Sequence, residues 1–252
     1  MPSITLQAQD GTSGGPEITS KPWTANAGDA VLVCWSVATG GPLQIITLTT
    51  PGYTWTNTTT IQSADTDITM QGAYALNVPA GTQTFHTANL GFSSFTYFVF
   101  VISGVTARDQ VATALFPPGG NDTILTAQWT TGPLAASGEA AVAWHQCQFA
   151  PTTITPMPGW TGTPTQQTNG VNNGLAVWNA NVGTAGQPLT GGWSVIANAG
   201  PNGMTAQGIM VTFTPTGGAG LQPGFPRSGL IEEPSEGMQE SNATPPSMGT
   251  PN

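Results

Sequence analysis

The sequence predicts an all-β fold, an antiparallel β-sandwich made of two pseudo-repeated halves and followed by an extended C-terminal tail. Glycine and proline are frequent, with 33 and 22 among 252 residues, and they mark many turns. Apolar and β-branched runs of strand length recur between these turns, and no segment shows a sustained helical period. The third observation is a weak internal repeat, in which motifs of the first half return in the second.

Four segments carry the strand prediction. Residues 4–8 alternate apolar and polar side chains, as a half-buried strand does. Residues 30–37 form a continuous apolar run, which is typical of a central strand covered on both faces. Residues 95–102 are rich in aromatic and β-branched side chains, and residues 209–214 form the last core strand, which Pro215 ends. Clusters of glycine and proline predict turns between strands at residues 39–42, 79–81, 117–120 and 200–203.

The internal repeat consists of two motifs. A glycine and an acid open an apolar run at residues 28–35 and again, 110 residues later, at 138–144. A Pro-Gly pair followed by an aromatic residue occurs at residues 51–55 and again, 107 residues later, at 158–162. These nearly equal offsets predict two halves with the same order of strands and turns.

The predicted sandwich spans residues 1–216, with halves of about 1–110 and 111–216. Four strands alone would leave sheet edges and one apolar face uncovered, so we expect the halves to form one sandwich rather than two tandem ones. Residues 217–252 are acidic and rich in proline and glycine, so this tail is expected to be extended or disordered in isolation. An assembly tether within the tail is a hypothesis, and its candidate residues are Arg227, Leu230, Ile231, Glu232 and Glu233.

The charge balance excludes some classes of function. Charged residues make up 6% of the chain, and three basic residues face twelve acids. Binding to nucleic acid or to an anionic membrane needs clustered lysine and arginine, so neither partner is expected. A surface with so little charge suits packing against neighbouring subunits, because copies repel one another weakly. The N-terminus lacks the pattern of a signal peptide, and no apolar run reaches the ~20 residues that span a bilayer.

The sequence offers little catalytic or metal-binding chemistry. His145 and Cys147 would share one face of a strand and could offer two ligands to a metal, but zinc normally takes three or four. Asp65, Asp67 and Asp122 are better explained as solvated turns than as a calcium loop. No motif marks a nucleophile with an oriented base, so we expect a protein that is not an enzyme and has no cofactor or metal. Cys34 and Cys147 are interpreted as buried thiols, and a bridge between them stays open.

Four residues are candidates for contact with a ligand or partner. Tyr53, Trp55 and Trp160 follow the matched Pro-Gly turns, so they should lie at equivalent places in the two halves. Exposed, they could stack on sugar rings or form binding hot spots, whereas buried they would fill the ends of the sandwich, the more common arrangement. Arg108 is interpreted first as a structural anchor, ion-paired with Asp109 in a loop, and second as a partner contact.

The order of these motifs resembles a jelly-roll-like β-sandwich module of bacterial surface proteins and of tailed-phage minor tail and decoration proteins. The resemblance covers roughly residues 3–214 and rests on the motifs at residues 27–33, 51–54, 77–84 and 101–105. It implies a structural or adhesive protein without catalytic residues. Because no signal peptide is recognised, we expect a phage virion component that is made in the host cytoplasm and exposed on the particle.

Besides the leading hypothesis, two other classes of function stay open. In the leading hypothesis the sandwich docks onto capsid or tail proteins, as a homo-oligomer or bound to a lattice. The alternative is an adhesion module that binds a carbohydrate or a host receptor through exposed Tyr53, Trp55 or Trp160. A hydrolase would instead require a cleft that holds two or more acids near His86 or His145.

Overall fold

The computed structural model describes residues 1–13, 17–38, 45–63, 68–88, 94–119, 124–147, 151–158, 160, 165–169, 172–197 and 204–217. Within them the backbone forms seventeen β-strands. The strands of the first half are β1 (Ser3–Ser13), β2 (Glu17–Thr19), β3 (Trp23–Ala25), β4 (Ala30–Ala38), β5 (Thr56–Ser63), β6 (Ile68–Ala75), β7 (Gly81–Gln83), β8 (His86–Ala88) and β9 (Ser94–Ser103). The strands of the second half are β10 (Val105–Gly119), β11 (Ile124–Pro133), β12 (Glu139–Cys147), β13 (Pro151–Pro156), β14 (Thr165–Asn169), β15 (Asn172–Val182), β16 (Pro188–Ala197) and β17 (Met204–Pro215).

The prediction of an all-β protein with antiparallel sheets and two β-rich halves is confirmed. No helix in the described part of the chain is long and apolar enough to cross a lipid bilayer.

Each half is built around one five-stranded antiparallel sheet. The first main sheet has the order β1-β9-β4-β6-β5, and the second main sheet has the order β10-β17-β12-β15-β14. The two orders are the same when β1, β9, β4, β6 and β5 are matched with β10, β17, β12, β15 and β14. The internal repeat of the sequence is therefore also a repeat of topology.

Smaller sheets cover the outer face of each main sheet. In the first half, β2 pairs with β8 and β3 pairs with β7. In the second half, β11, β16 and β13 form a three-stranded sheet in the order β11-β16-β13. Each half therefore has its own outer core, one below the short strands of the first half and one below the three-stranded sheet.

The inner faces of the two main sheets share a third, central core. Strand β4 shows how alternation divides one strand between two cores: Val31, Val33 and Trp35 face the outer core of the first half, whereas Leu32 and Cys34 face the central core. All nine residues of β4 are buried, as the continuous apolar run predicts. Both faces of this sheet are covered, so β4 has no solvent-facing polar side.

The packing of the main sheets follows an approximate two-fold symmetry. Strand β1 contacts β14 and β5 contacts β10, while β9 contacts β15 and β6 contacts β17. When each strand is replaced by its matched strand, the β1–β14 contact becomes the β10–β5 contact, and the β9–β15 contact becomes the β17–β6 contact. Such reciprocal contact is the property of an isologous interface between two like subunits, here within one chain.

Three glycines in strands each accommodate a tryptophan ring. A Cβ atom at Gly208 would lie 2.0 Å from the ring of Trp129, and one at Gly191 would lie 2.0 Å from the ring of Trp160. Gly72 accommodates Trp144 in the same way, with a separation of 2.8 Å. Glycine in a strand interior often marks such a close approach, because any larger residue would collide with the neighbouring group.

The structure differs from the sequence interpretation at residues 117–120, and it contains four short strands that the sequence does not predict. The cluster at residues 117–120 was interpreted as a turn, but β10 runs to Gly119 and pairs with β17, with a register shift between Phe116 and Gly119. The bulge removes ladder bonds that proline cannot make, so the strand continues through Pro117 and Pro118. Strands β2, β3, β7 and β8 have only three residues each, too few to give a periodic pattern.

Candidate functional site

The two matched Pro-Gly turns have the same hydrogen bond. The amide of Tyr53 donates to the carbonyl of Thr50 at 3.1 Å, and the amide of Trp160 donates to the carbonyl of Met157 at 3.1 Å. Gly52 has φ +78°, the conformation required at the third position of a type II turn after proline. Tyr53 and Trp160 therefore occupy equivalent positions, which is the placement expected from the repeat.

Tyr53 and Trp55 form a partly exposed aromatic pair. Their rings are stacked with centroids 5.6 Å apart, and the edge of Trp23 meets Tyr53 at 5.4 Å. Both rings pack against the outer core of the first half. The Tyr53 hydroxyl and the Trp55 indole N–H have no hydrogen-bond partner among the described residues. Burial, together with the nearby Asp29 carboxylate, raises the pKa of Tyr53 to about 12, so its hydroxyl is a donor at neutral pH.

Trp160 is buried, with 6% of its surface exposed. Its indole nitrogen lies 3.4 Å from the carbonyl oxygen of Thr190, and its ring covers Gly191. The surface and buried alternatives are thus divided between the halves. Trp160 fills the core of the second half, whereas Tyr53 and Trp55 reach the surface of the first.

Arg108 lies on strand β10, not in a loop, and its guanidinium is 5.9 Å from the centre of the Tyr74 ring on β6. This contact joins the two halves, as a structural anchor does. The expected ion pair with Asp109 is not formed in the described structure. Asp109 instead accepts hydrogen bonds from the amide of Ala135 at 2.7 Å and from Gln110 at 3.0 Å.

His145 is fully buried. Trp129 and Trp193 enclose the imidazole, with centroids at 6.1 and 5.4 Å. Burial lowers the pKa of His145 to about 3, so the ring is neutral at ordinary pH. Cys34 is a free, buried thiol, so it is not bonded to Cys147. Burial raises the pKa of this thiol.

His86 lies at the surface on β8, where its Nδ1 is 2.9 Å from the Thr19 hydroxyl. This distance suits a nucleophile and a base, but a nucleophilic site also needs a third group that orients the base. Within the described ranges no hydrogen bond to Nε2 of His86 provides that group. Nearby Asp10 is ion-paired with Lys21 at 3.1 Å.

Several candidate residues lie outside the described part of the chain. They are Asp65, Asp67 and Asp122 of the turns, and Arg227, Leu230, Ile231, Glu232 and Glu233 of the tail. In the residues that are described, no group of three or more histidine, cysteine or acidic side chains could hold a metal ion.

Two features were not recognised in the sequence. The first is a pair of carboxyl groups: Glu139 is fully buried beside the partly exposed Asp109, and its Oε1 accepts a hydrogen bond from the amide of Ala136 at 3.0 Å. Burial and repulsion from Asp109 raise its pKa to about 7, against the opposing effect of hydrogen bonds from Thr212 and Ala136. The glycine-acid motif could have indicated the turn, but not the partner 30 residues away.

The second feature is a set of uncharged sheet edges. The three larger sheets end in six edge strands, and four of these have no charged residue. Those four strands are β5, β11, β13 and β14. Strand β11 is regular from Ile124 to Thr130, and within the described chain it pairs only with β16. Strand β10 also contacts β11, and the side chain of Gln110 donates to the carbonyl of Pro133 at 3.2 Å. Backbone groups at an edge strand can pair with another chain.

Comparisons with protein-family models, with curated proteins and with solved structures find no match for this chain.

Proposed function

We propose that this protein is a non-enzymatic structural component of a phage virion, such as a minor tail, head-decoration or fibre protein, that acts by docking to other subunits. The observation that carries the proposal is the lack of charge on four edge strands, among them β11, which within the described residues pairs with β16 alone. Monomeric β-proteins usually protect such edges with lysine, proline or a bulge. From Ile124 to Thr130, β11 has none of these, and its pairing with β16 is regular; the register shift and Pro133 lie beyond Thr130 at the end of the strand.

The scarcity of charge agrees with this proposal. With 6% charged residues, copies in a lattice would meet mainly through backbone hydrogen bonds, threonine, asparagine and glutamine. The acidic tail of residues 217–252 would then act as a tether. The resemblance to virion proteins supports the choice of particle, and it remains a likeness of strand and turn motifs.

A lysine on the β11 edge should weaken self-association. Gln128 is an exposed residue of β11, so Gln128→Lys would place like charges across an antiparallel edge contact between two copies. We expect association about fivefold weaker, which corresponds to ~1 kcal/mol. Sedimentation velocity over a concentration series measures the change.

The matched control is Thr184→Lys, which adds the same charge at an exposed turn residue away from any strand. If both variants associate like the native protein, β11 is not the docking edge. If both weaken association equally, the effect comes from net charge and not from the edge.

A second candidate function is binding of a glycan or host receptor. The partial exposure of Tyr53 and Trp55 favours it, because stacked aromatic rings at a surface suit the apolar faces of sugars. Trp55→Ala should abolish retention on a glycan array, whereas replacement of the buried Trp160 by phenylalanine should leave any retention unchanged. Retention that survives Trp55→Ala would count against this site.

A further inference from the structure

A polar pocket of about 220 Å³ opens between the edge of the first main sheet and the small β2–β8 sheet. Five of its six lining residues offer oxygen atoms. The lining residues are Asp10, Thr12, Glu17, Ile18, Thr19 and Tyr97. Asp10 on β1 and Tyr97 on β9 are direct cross-strand partners, so both side chains have fixed positions at this edge.

Tyr97 forms the inner part of the pocket. Its ring is 2% exposed and meets the rings of Phe85 at 5.1 Å and Phe95 at 6.0 Å. Its hydroxyl oxygen accepts a hydrogen bond from the amide of Lys21 at 2.7 Å. That bond leaves the hydroxyl hydrogen available for donation, and among the described residues no hydrogen bond donated by Tyr97 is found. Burial raises the pKa of Tyr97 to about 12, so this hydrogen is present at neutral pH.

Acceptor groups surround this donor. Lys21 holds Asp10 in an ion pair at 3.1 Å, and its ammonium group also donates to the carbonyl of Gln9 at 3.2 Å. Glu17 adds a second carboxylate, and Thr19 adds a hydroxyl that can both donate and accept. The pocket therefore combines one buried donor with acceptors at its exposed side, of which Asp10 is held in place by Lys21.

In the described part of the second half, the position that corresponds to Tyr97 is occupied differently. In the first half Tyr97 pairs with Trp35, and in the second half Gly208 pairs with His145. Because β4 corresponds to β12 and β9 to β17, Gly208 is the counterpart of Tyr97. The ring of Trp129 occupies the space above Gly208. The same place in the fold is thus filled by an apolar ring in one half and carries a tyrosine hydroxyl in the other.

We propose that this pocket binds a single neutral sugar unit of a glycan. A sugar hydroxyl can donate to the carboxylates of Asp10 and Glu17, and another can accept from Tyr97. An amine or a metal ion offers no acceptor and would leave the Tyr97 hydrogen unmatched. The volume corresponds to about seven water molecules at ~30 Å³ each, more than a bare ion fills and less than the ~300 Å³ at which pockets for drug-sized ligands begin.

This proposal is independent of docking through β11. It shares its class of ligand with the second candidate function but lies at other residues, so the two can be separated by mutation.

The test is an NMR titration of the full chain with the methyl glycosides of glucose, galactose and mannose. We expect saturable shifts with at least one of them at millimolar concentration. Thr19→Val should weaken that binding at least fivefold. Thr130→Val is the matched control, because Thr130 is also an exposed strand threonine with a cross-strand side-chain contact, 3.0 Å against 2.9 Å for Thr19. It should leave binding unchanged.

Three results would overturn the proposal. The first is the absence of saturable shifts with all three glycosides. The second is a response to calcium chloride or cadaverine that exceeds the response to every sugar. The third is sugar binding that Trp55→Ala abolishes and Thr19→Val leaves intact, which would assign the ligand to the aromatic pair.

Discussion

At the scale of single residues, the two glycine-acid turns contain the same side-chain hydrogen bond. The acids of the glycine-acid motif serve the same purpose in both halves: Asp29 accepts from the amide of Asn26 at 2.8 Å, and Glu139 accepts from the amide of Ala136 at 3.0 Å. Local spacing contains that information. Whether Tyr53 or Trp160 is exposed depends on which distant strands cover the turn, and local spacing cannot show that.

Glu139 should make stability depend on pH. Its pKa is about 7 in the folded protein and near 4.5 in an unfolded chain. Between these values the unfolded chain has lost its proton while the folded protein retains it, so raising the pH favours unfolding. We expect the Tm of the native protein to fall relative to that of Glu139→Gln as pH rises from 4.5 to 7. Thermal unfolding at several pH values measures this.

The control for that experiment is Glu17→Gln, because Glu17 is exposed. The difference in Tm between native protein and Glu17→Gln should change little over the same range. A difference between native protein and Glu139→Gln that stays constant with pH would show that Glu139 titrates normally.

At the scale of elements, long apolar strands are predictable and their neighbours are not. Residues 95–102 make up most of β9. The strand is apolar along its whole length because its alternate side chains pack into two different cores. Strand β10 was not recognised, since Arg108, Asp109 and two prolines interrupt its apolar pattern. The pairing of glycine with tryptophan was also hidden, because Gly208 and Trp129 are far apart in sequence.

Gly208→Ala should destabilise the protein by ~1–3 kcal/mol, since the added methyl group collides with the ring of Trp129. Denaturant unfolding gives the change in free energy. In a Trp129→Leu background the same substitution should cost less, with a coupling of at least ~0.5 kcal/mol. Additive effects of the two substitutions would mean that the ring does not determine the need for glycine.

At the scale of the whole molecule, the repeat predicts two like halves, and the structure shows how they combine. Tyr74 of the first half meets Phe213 of the second at 5.8 Å, and Trp178 of the second meets Phe100 of the first at 5.2 Å. The strand registers place Tyr74 and Trp178 at equivalent positions, and Phe213 and Phe100 lie on the matched strands β17 and β9, so the contacts are reciprocal at the level of strands. The central core is thus an internal two-fold interface, which the offsets of the repeat alone could not reveal.

Separate halves should need one another. Residues 1–104 and 105–252, produced as two chains, would each expose the apolar face that forms the central core. We expect them to be insoluble or aggregated when expressed alone, and to copurify as a one-to-one complex when expressed together. Two halves that are folded, soluble monomers would contradict a shared central core.

The proposed role in assembly is tested most directly by the mass of the protein in solution. Light scattering over a concentration series should give a mass that rises above the 25.8 kDa of one chain. Deletion of residues 222–252, which leaves the compact unit Met1–Leu221, should reduce that rise if the tail is a tether. A mass of one chain at every concentration, with and without the tail, would contradict the account.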